Sequence, residues 1–413
     1  MKRTLTSRPD DADTLVSLLG KTSLGDKTGY RTARYCMPDN QERVTEYFGL
    51  VLADYLRAKR VILLGTPGSM WDVLVESVVG DSAAEEPRLA LIDAVRTGTV
   101  TEELLARLES VIVRKVGRAV ECLLVPASVT FDDQQTLLIR LAERLRSRER
   151  IALDLTHGYR HLAMLGLAAT RYLVHQRNVQ LVGLYYGALE MTIRDGVTPV
   201  IKVDGLAHLL EWAEAFGAYE ANGDFARFAP LLIRDGFPEA IAEQLTRAWH
   251  NLQISNISDA ARALLPVYGE LDKPLTGASE LFRSRLTKAL SWCQADRLSE
   301  KFRRLALQSL DRGDILRTAI LGLECILVRE VEEAGGDPLD YREREKADER
   351  LQAKLRGDAY PDWEREAYRF LKNVRNACAH GTPPSYPPHA QLMCQPPRLR
   401  RELEATLSRL TRR

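Results

Sequence analysis

Apolar residues along this chain keep two different rhythms, and the change between them divides it near residue 205. Before that point, short apolar runs bounded by turn residues alternate with stretches of helical periodicity. Leu15–Leu19 runs into Gly20, a short strand is expected over 30–37, and Arg60–Leu64 ends at Gly65-Thr66-Pro67-Gly68-Ser69. Further strands are predicted at Ala119–Val125, Arg150–Thr156 and Val179–Tyr186, with 188–194 and 200–203 forming a hairpin around Asp195-Gly196. Helical spacing fills 45–58, 70–80, 84–95, 101–109, 132–147 and 161–176. Strands separated by helices imply an α/β fold whose mostly parallel sheet is covered on both faces.

After 205 the strand signal fades and helical patterns follow one another to the end. They are expected over 206–221, 224–234, 238–248, 257–268, 278–294, 297–310, 314–334, 341–356, 361–380 and 398–411. Gly335-Gly336-Asp337-Pro338 and the stretch 383–397 read as loops. The helix over 361–380 carries apolar residues at Ala367, Phe370, Leu371, Val374, Ala377 and Cys378, and Gly381, Pro383 and Pro384 stop it. The expected division is a domain over 1–204, whose residues 1–13 form a flexible N-terminal segment, and an all-α region over 205–413.

Bulk properties narrow the picture only a little. The 413 residues suffice for two or three domains, and 45% hydrophobic with 28% charged content is ordinary for globular proteins. Lys and Arg number 58 against 57 acidic residues, so no global basicity attracts nucleic acid, and any RNA contact must be local. Six cysteines are scattered without a C-x-x-C pair, which argues against a zinc site or a disulfide framework and fits a reducing cytoplasm. No leader-like apolar core opens the chain and no apolar run approaches a membrane span, so a cytoplasmic protein without a membrane association is expected.

Candidate chemistry lies in two places. In open α/β sheets, ligands sit beyond the carboxyl ends of the strands, where backbone N–H groups and helix N-termini meet anions. Three polar turns fall there: Ser17–Lys21 with Gly20; Gly65–Trp71, with hydroxyls at Thr66 and Ser69 and an indole at Trp71 to pack on a base; and Thr156-His157-Gly158-Tyr159-Arg160. One such turn closes any α/β unit, but three on one sheet edge point to a nucleotide pocket. There is no G-x-G-x-x-G and no Walker Lys-Ser/Thr. Asp154 either orients His157 or caps its own turn. The second place is the end of the helix over 361–380, where Arg375 and His380 stand five residues apart. A guanidinium can hold a phosphate while an imidazole moves protons near neutral pH, which together can cleave RNA without a metal. Five residues turn an ideal helix by roughly 140°, so such a site assembles more easily between two copies of the helix than on one.

These residues carry a resemblance. Ser17–Lys21, Tyr30–Tyr35, Phe48-Gly49, Leu63–Asp72 and Leu153–Arg160 together resemble the CARF domain of CRISPR-associated proteins, and Arg375-x4-His380 in an all-α region is similar to the signature of HEPN ribonucleases. The resemblance implies a Rossmann-like sensor followed by a HEPN domain in an ancillary type III CRISPR ribonuclease. It implies a homodimer or higher homo-oligomer, no cofactor and no metal, and cyclic oligoadenylate as allosteric activator, tetra-adenylate favoured over hexa-adenylate. Single-stranded RNA would be the substrate, cut in antiviral defence. Arg375 and His380 become the catalytic pair, Asn376 the polar neighbour of the motif, and Gly20, Thr66, Gly68, Ser69, Met70, Trp71, Thr156, His157, Gly158 and Arg160 the ligand pocket. Two other readings compete: a sensing and dimerisation module without catalysis, or a CARF domain that also degrades its activator through His157 or Ser69. His161 is expected to cap its helix, while His175, His208, His250 and His389 lack partner spacing and read as surface residues.

Overall fold

The computed structural model describes residues 11–21, 32–80, 85–127, 129–158, 160–356 and 362–410. The chain divides into two compact units, 1–207 and 208–413. In the first, the strands are β1 (Thr14–Leu19), β2 (Ala33–Cys36), β3 (Glu42–Thr45), β4 (Arg60–Gly65), β5 (Ala119–Leu124), β6 (Arg150–Asp154), β7 (Gln180–Gly187) and β8 (Val197–Lys202). They form one sheet in the order β3-β2-β8-β7-β6-β1-β4-β5. The β5-β4-β1-β6-β7 run is parallel throughout, as is β2 on β8, whereas β2/β3 and β7/β8 pair antiparallel. Helices α1 (Phe48–Tyr55), α2 (Trp71–Val79), α3 (Glu85–Thr97), α4 (Glu102–Val116), α5 (Phe131–Arg144) and α6 (Arg160–Arg177) accompany it.

Every residue of β1 is buried, as expected where helices cover both faces of a parallel sheet. Strand alternation then sorts side chains into two cores. Leu15, Leu19, Val61 and Leu63 join Leu52, Trp71 and Leu105 on one face, while Val16, Leu18, Ile62 and Leu64 join Leu137, Leu141 and Leu173 on the other. The α/β expectation therefore holds, with three local corrections. The polar strand β3 carried no apolar signal, because Glu42, Arg43 and Val44 are exposed. Residues 188–194 are not a strand: Leu189–Met191 forms a short 3-10 turn, and β8 folds back directly on β7, with Gly196 at φ 76° closing the turn between them. Within the segment expected to be flexible, Ala12 is buried and its N–H bonds to the Leu56 carbonyl at 3.0 Å. Residues 1–10 of that segment, and Tyr30 and Arg31, lie outside the described residues.

The second unit is helical. Its helices are α7 (Asp204–Asn222), α8 (Phe228–Arg234), α9 (Glu239–Gln253), α10 (Ile257–Leu271), α11 (Ser279–Leu290), α12 (Leu298–Asp311), α13 (Ile315–Glu333), α14 (Tyr341–Arg356), α15 (Asp362–His380), α16 (Pro387–Met393) and α17 (Pro396–Arg409). The stretch expected as a loop over 383–397 holds α16, started by prolines whose fixed φ suits a first helical turn. One apolar cluster runs through the unit, including Trp212, Phe228, Trp292, Leu371 and Leu403. His208, read above as a surface residue, is buried, with its Nε2 2.6 Å from Asp235 Oδ1.

Two contacts seat α15. A Cβ on Gly322 of α13 would lie 3.1 Å from the Leu371 side chain, and Arg329 of α13 reaches Glu364 at 3.6 Å with both side chains buried. Arg329 also donates to the Leu410 carbonyl at 3.2 Å after α17. Glu333 also approaches Arg329, at 3.9 Å, so losing Glu364 removes the nearer of two carboxylates. Glu364→Ala is therefore expected to lower unfolding free energy by about 1 to 3 kcal/mol, measured by urea denaturation.

Candidate functional site

The sheet order sets β6, β1 and β4 side by side, so the three polar turns meet at the carboxyl ends of adjacent parallel strands. The chain winds from β1 out to β4 and β5, then returns to β6 and β7 on the other side. The reversal falls between β1 and β6, where this class of sheet opens a ligand crevice. There the turns interlock. A Cβ at Gly20 would sit 1.7 Å from the His157 carbonyl oxygen, so only glycine permits this approach. Met70 N–H donates to the Gly20 carbonyl at 2.9 Å, and Ser69 Oγ donates to the Leu19 carbonyl at 2.7 Å. Gly158 lies against Leu18, where a Cβ would come within 2.6 Å.

Beneath them is a buried polar cluster. Asp154 is fully buried; its carboxylate accepts from Ser17 Oγ at 2.6 Å and from the Thr156 N–H at 2.9 Å. It caps its own turn, and burial pushes its carboxyl above the usual range. Ser17 Oγ also lies 2.7 Å from the Tyr47 hydroxyl. The Tyr47 ring stacks on His157 at 5.2 Å, and His157 Nε2 accepts the Phe48 N–H at 3.1 Å, at the start of α1. Burial lowers the His157 imidazole to about 4, so it stays neutral at physiological pH. Gly49 completes the fit, since a Cβ there would meet Ser17 Oγ at 2.1 Å. Tyr47 was not singled out in the sequence, and nothing in its spacing marks it.

The predicted pocket residues thus come together but divide by role. Trp71 is corrected outright: it is fully buried, its Nε1 donates to the Thr66 carbonyl at 2.9 Å, and its ring underlies Gly65. It is core and cannot stack on a base. Ser69 is fully buried and Thr66 nearly so, their hydroxyls 3.2 Å apart within the turn. His157 and Met70 are buried as well. What reaches the surface is the backbone at Pro67 and Gly68 and the residues Thr156 and Gly158. Thr156 Oγ1 accepts the Gly187 N–H at 2.9 Å. Helices α2 and α6 start at this edge, where the positive end of a helix dipole favours an anion. Arg160 opens α6, but its side chain, like Tyr159, lies outside the described residues. His161 bonds the Ala127 carbonyl at 3.0 Å, joining the segment after β5.

On the second unit, α15 buries Ala367, Phe370, Leu371, Val374 and Ala377, the i, i+3, i+4, i+7 face read from the sequence. Gly381 ends it at φ 68°, donating its N–H to the Ala377 carbonyl at 2.9 Å. His380 is exposed, and Arg375 and Asn376 are partly exposed. Among the described residues none of the three has a hydrogen-bond or ion-pair partner. His389, read above as a surface residue, is instead tucked against this helix. Its Nδ1 lies 2.8 Å from Asn373 Nδ2, and its ring packs edge-on between Phe370 and Tyr386.

A mostly parallel, helix-covered sheet with interlocked glycine turns at its switch point defines a Rossmann-like α/β domain. Residues 14–190 match the family described as "CRISPR system endoribonuclease Csx1, CARF domain". The chain is also 23% identical over 265 residues to the "CRISPR-associated protein MJ1674" of Methanocaldococcus jannaschii, a match covering 59% of this chain and 42% of that protein. The matched stretch is a CARF domain like those of CRISPR-associated proteins of type III systems. A CARF domain implies a cyclic oligoadenylate as its ligand. No helix among the described residues is long and apolar enough to cross a membrane.

The buried imidazole makes stability depend on pH with a defined sign. His157 binds its proton less readily when folded (about 4) than when unfolded, near 6.5. Its contribution is complete above 6.5 and is lost as pH falls toward 4, because the unfolded chain takes up the proton first. Between pH 7 and 5 the wild type is expected to lose about 2 kcal/mol more than His157→Gln, from about 1.4 kcal/mol per pH unit below 6.5. Denaturant titrations of both proteins at each pH check this.

Proposed function

We propose that this protein is a cyclic-oligoadenylate-activated endoribonuclease that cuts single-stranded RNA, its helical unit acting as a HEPN domain in a homodimer. The observation that carries the reading is the state of the α15 end: a guanidinium, an amide and an imidazole stand accessible there, none engaged by another described residue. Groups that merely support a fold are normally satisfied by it. In the reaction, His380 takes the proton of a ribose 2′-hydroxyl as its oxygen attacks the adjacent phosphorus. Arg375 stabilises the charge growing on the phosphorane oxygens, and the departing 5′-oxygen takes a proton from the protonated His380 of the second copy. The products are a 2′,3′-cyclic phosphate and a 5′-hydroxyl. Asn376 supplies a further hydrogen bond to the phosphate. Because Arg375 and His380 diverge by roughly 140° around one helix, two α15 ends across a two-fold axis supply the couple.

The first unit acts as the sensor. Its ligand surface consists of backbone at Gly68 and of Thr156, Gly158 and the starts of α2 and α6. Self-degradation of the activator is disfavoured at His157, whose Nε2 already accepts the Phe48 N–H, and at Ser69, whose Oγ is bonded to the Leu19 carbonyl. The ring of four adenylates remains the favoured activator.

Arg375→Ala and His380→Ala are each expected to lower activated RNA cleavage by at least about 100-fold while leaving the melting temperature unchanged. Cleavage of a labelled single-stranded RNA with each cyclic oligoadenylate tests this. Retained cleavage in both variants would sink the assignment and favour a non-catalytic sensing module.

The sensor surface has its own test. A Cβ added at the partly exposed Gly68 meets no atom within 4 Å, so Gly68→Glu is expected to fold normally. Its carboxylate would repel the ligand phosphates and raise the activator concentration needed for half-maximal binding about ten-fold or more. Calorimetric titration with cyclic tetra-adenylate measures it.

A further inference from the structure

The helical unit contains a groove that neither the sensor nor the catalytic couple uses. An outer part of about 470 Å³, lined by residues of α7, α11 and α12, adjoins a deeper cavity of about 150 Å³; Tyr219, Gln308 and Arg312 border both. Its walls alternate rings and cations. The Arg312 guanidinium lies 4.6 Å over the Tyr219 ring and that of Arg285 lies 4.3 Å over Phe216, while Trp249 backs the deeper cavity.

The charge left over in this groove is positive. Three carboxylates border it, and each is occupied: Glu220 pairs with Arg285, Asp311 with Arg400 at 3.2 Å, and Asp314 caps α13 by accepting the Arg317 N–H at 3.0 Å. Arg312 and Arg317 are partly buried, yet among the described residues neither is in an ion pair. Arg312 donates to the Tyr219 carbonyl at 3.2 Å and Arg317 to the Leu252 carbonyl at 2.8 Å. Lys288 stands exposed and unpaired at the rim. Partly buried cations without carboxylate partners, held against aromatic side chains that keep them extended into the groove, match a chain of phosphates.

Its position gives that match a purpose. From the Gly322–Leu371 contact to the Arg329–Glu364 pair, α13 and α15 advance by the same number of residues in opposite directions. Continuing that antiparallel register the other way sets the start of α13, and with it Arg312 and Asp314, beside the α15 end that carries Arg375 and His380. We propose that this groove holds a single-stranded RNA segment and leads it to the α15 end. The choice of RNA rests on the ribonuclease reading, whereas the groove's cations and rings do not.

Binding of a fluorescein-labelled, unstructured RNA oligonucleotide to the full chain, in a His380→Ala background that blocks cleavage, tests it by anisotropy across a salt series. Arg285→Glu with Lys288→Glu is expected to weaken binding and to flatten the slope of log affinity against log salt by about 1.4, two phosphate contacts on a single strand. Arg312→Ala is expected to weaken binding about ten-fold, with Arg312→Lys restoring part of it. Arg342→Glu with Lys346→Glu, exposed charges on α14, which lines neither part of the groove, controls for general electrostatics. If the groove variants change affinity and slope no more than that control, the groove proposal is overturned, even where activated cleavage by the unmodified protein stands. Loss of binding in the groove variants alone supports it, even if Arg375→Ala fails to stop cleavage.

Discussion

The strand-end surface of the first unit depends on keeping one buried carboxylate satisfied. Asp154 closes β6 with no exposure, where an unpartnered carboxylate would cost several kcal/mol. The Ser17 hydroxyl and the Thr156 N–H answer it, and Ser17 in turn engages Tyr47, whose ring lies on His157. Through Phe48 N–H the same cluster fixes the start of α1. Once β1, β6 and α1 are latched, Gly20 is pressed onto the His157 carbonyl, and the turn after β4 joins through Ser69 and Met70. Side-chain hydroxyls and rings are consumed in building this edge, so what faces outward is largely backbone. Under the proposed reading that is a rigid surface for phosphates, since backbone held by the fold needs no ordering when a ligand arrives.

The helical unit solves a different problem, holding one helix firmly while leaving its end bare. Arg329 and Glu364 secure the first turn of α15, Leu371 packs over Gly322, and Asn373 meets His389. Past that point Val374 and Ala377 still face the core and Gly381 terminates the helix, while the side chains of Arg375, Asn376 and His380 have no partner among the described residues. Tight seating and an unsatisfied end belong together, because a loosely held helix would not present the two groups at a fixed separation.

The sequence made the architecture readable where periodicity was strong. Alternating apolar runs announced β1, β4, β6 and β7, and the 3.6-residue rhythm located α15 almost to its ends. It failed where an element is polar or is held from outside. The strand β3 gains its place by pairing with β2, and α16 lies in a proline-rich stretch that reads as loop. Among the site residues the difficulty was chemical. A hydroxyl, an indole or an imidazole just after a strand has the same pattern whether it meets a ligand or closes the turn. Only the direction of its hydrogen bonds separates the two, and for Ser69, Trp71 and His157 they point inward. His208 and His389 were misread for the same reason, since their partners Asp235 and Asn373 are distant in sequence.

Charge balance constrains what such a protein can do with RNA. With a formal net charge of +1, the molecule exerts little long-range pull on a polyanion. Affinity must come from contacts made at close range, by cations that the fold has left without carboxylate partners. Arg312, Arg317 and Lys288 are such cations, as is Arg375 on α15. Under the proposed reading, a nuclease built this way would not accumulate nonspecifically on cellular RNA, because each contact is local and screened within about 10 Å. On the same proposal its resting cut rate would be set by how seldom two α15 ends are correctly opposed, the quantity that an activating ligand changes.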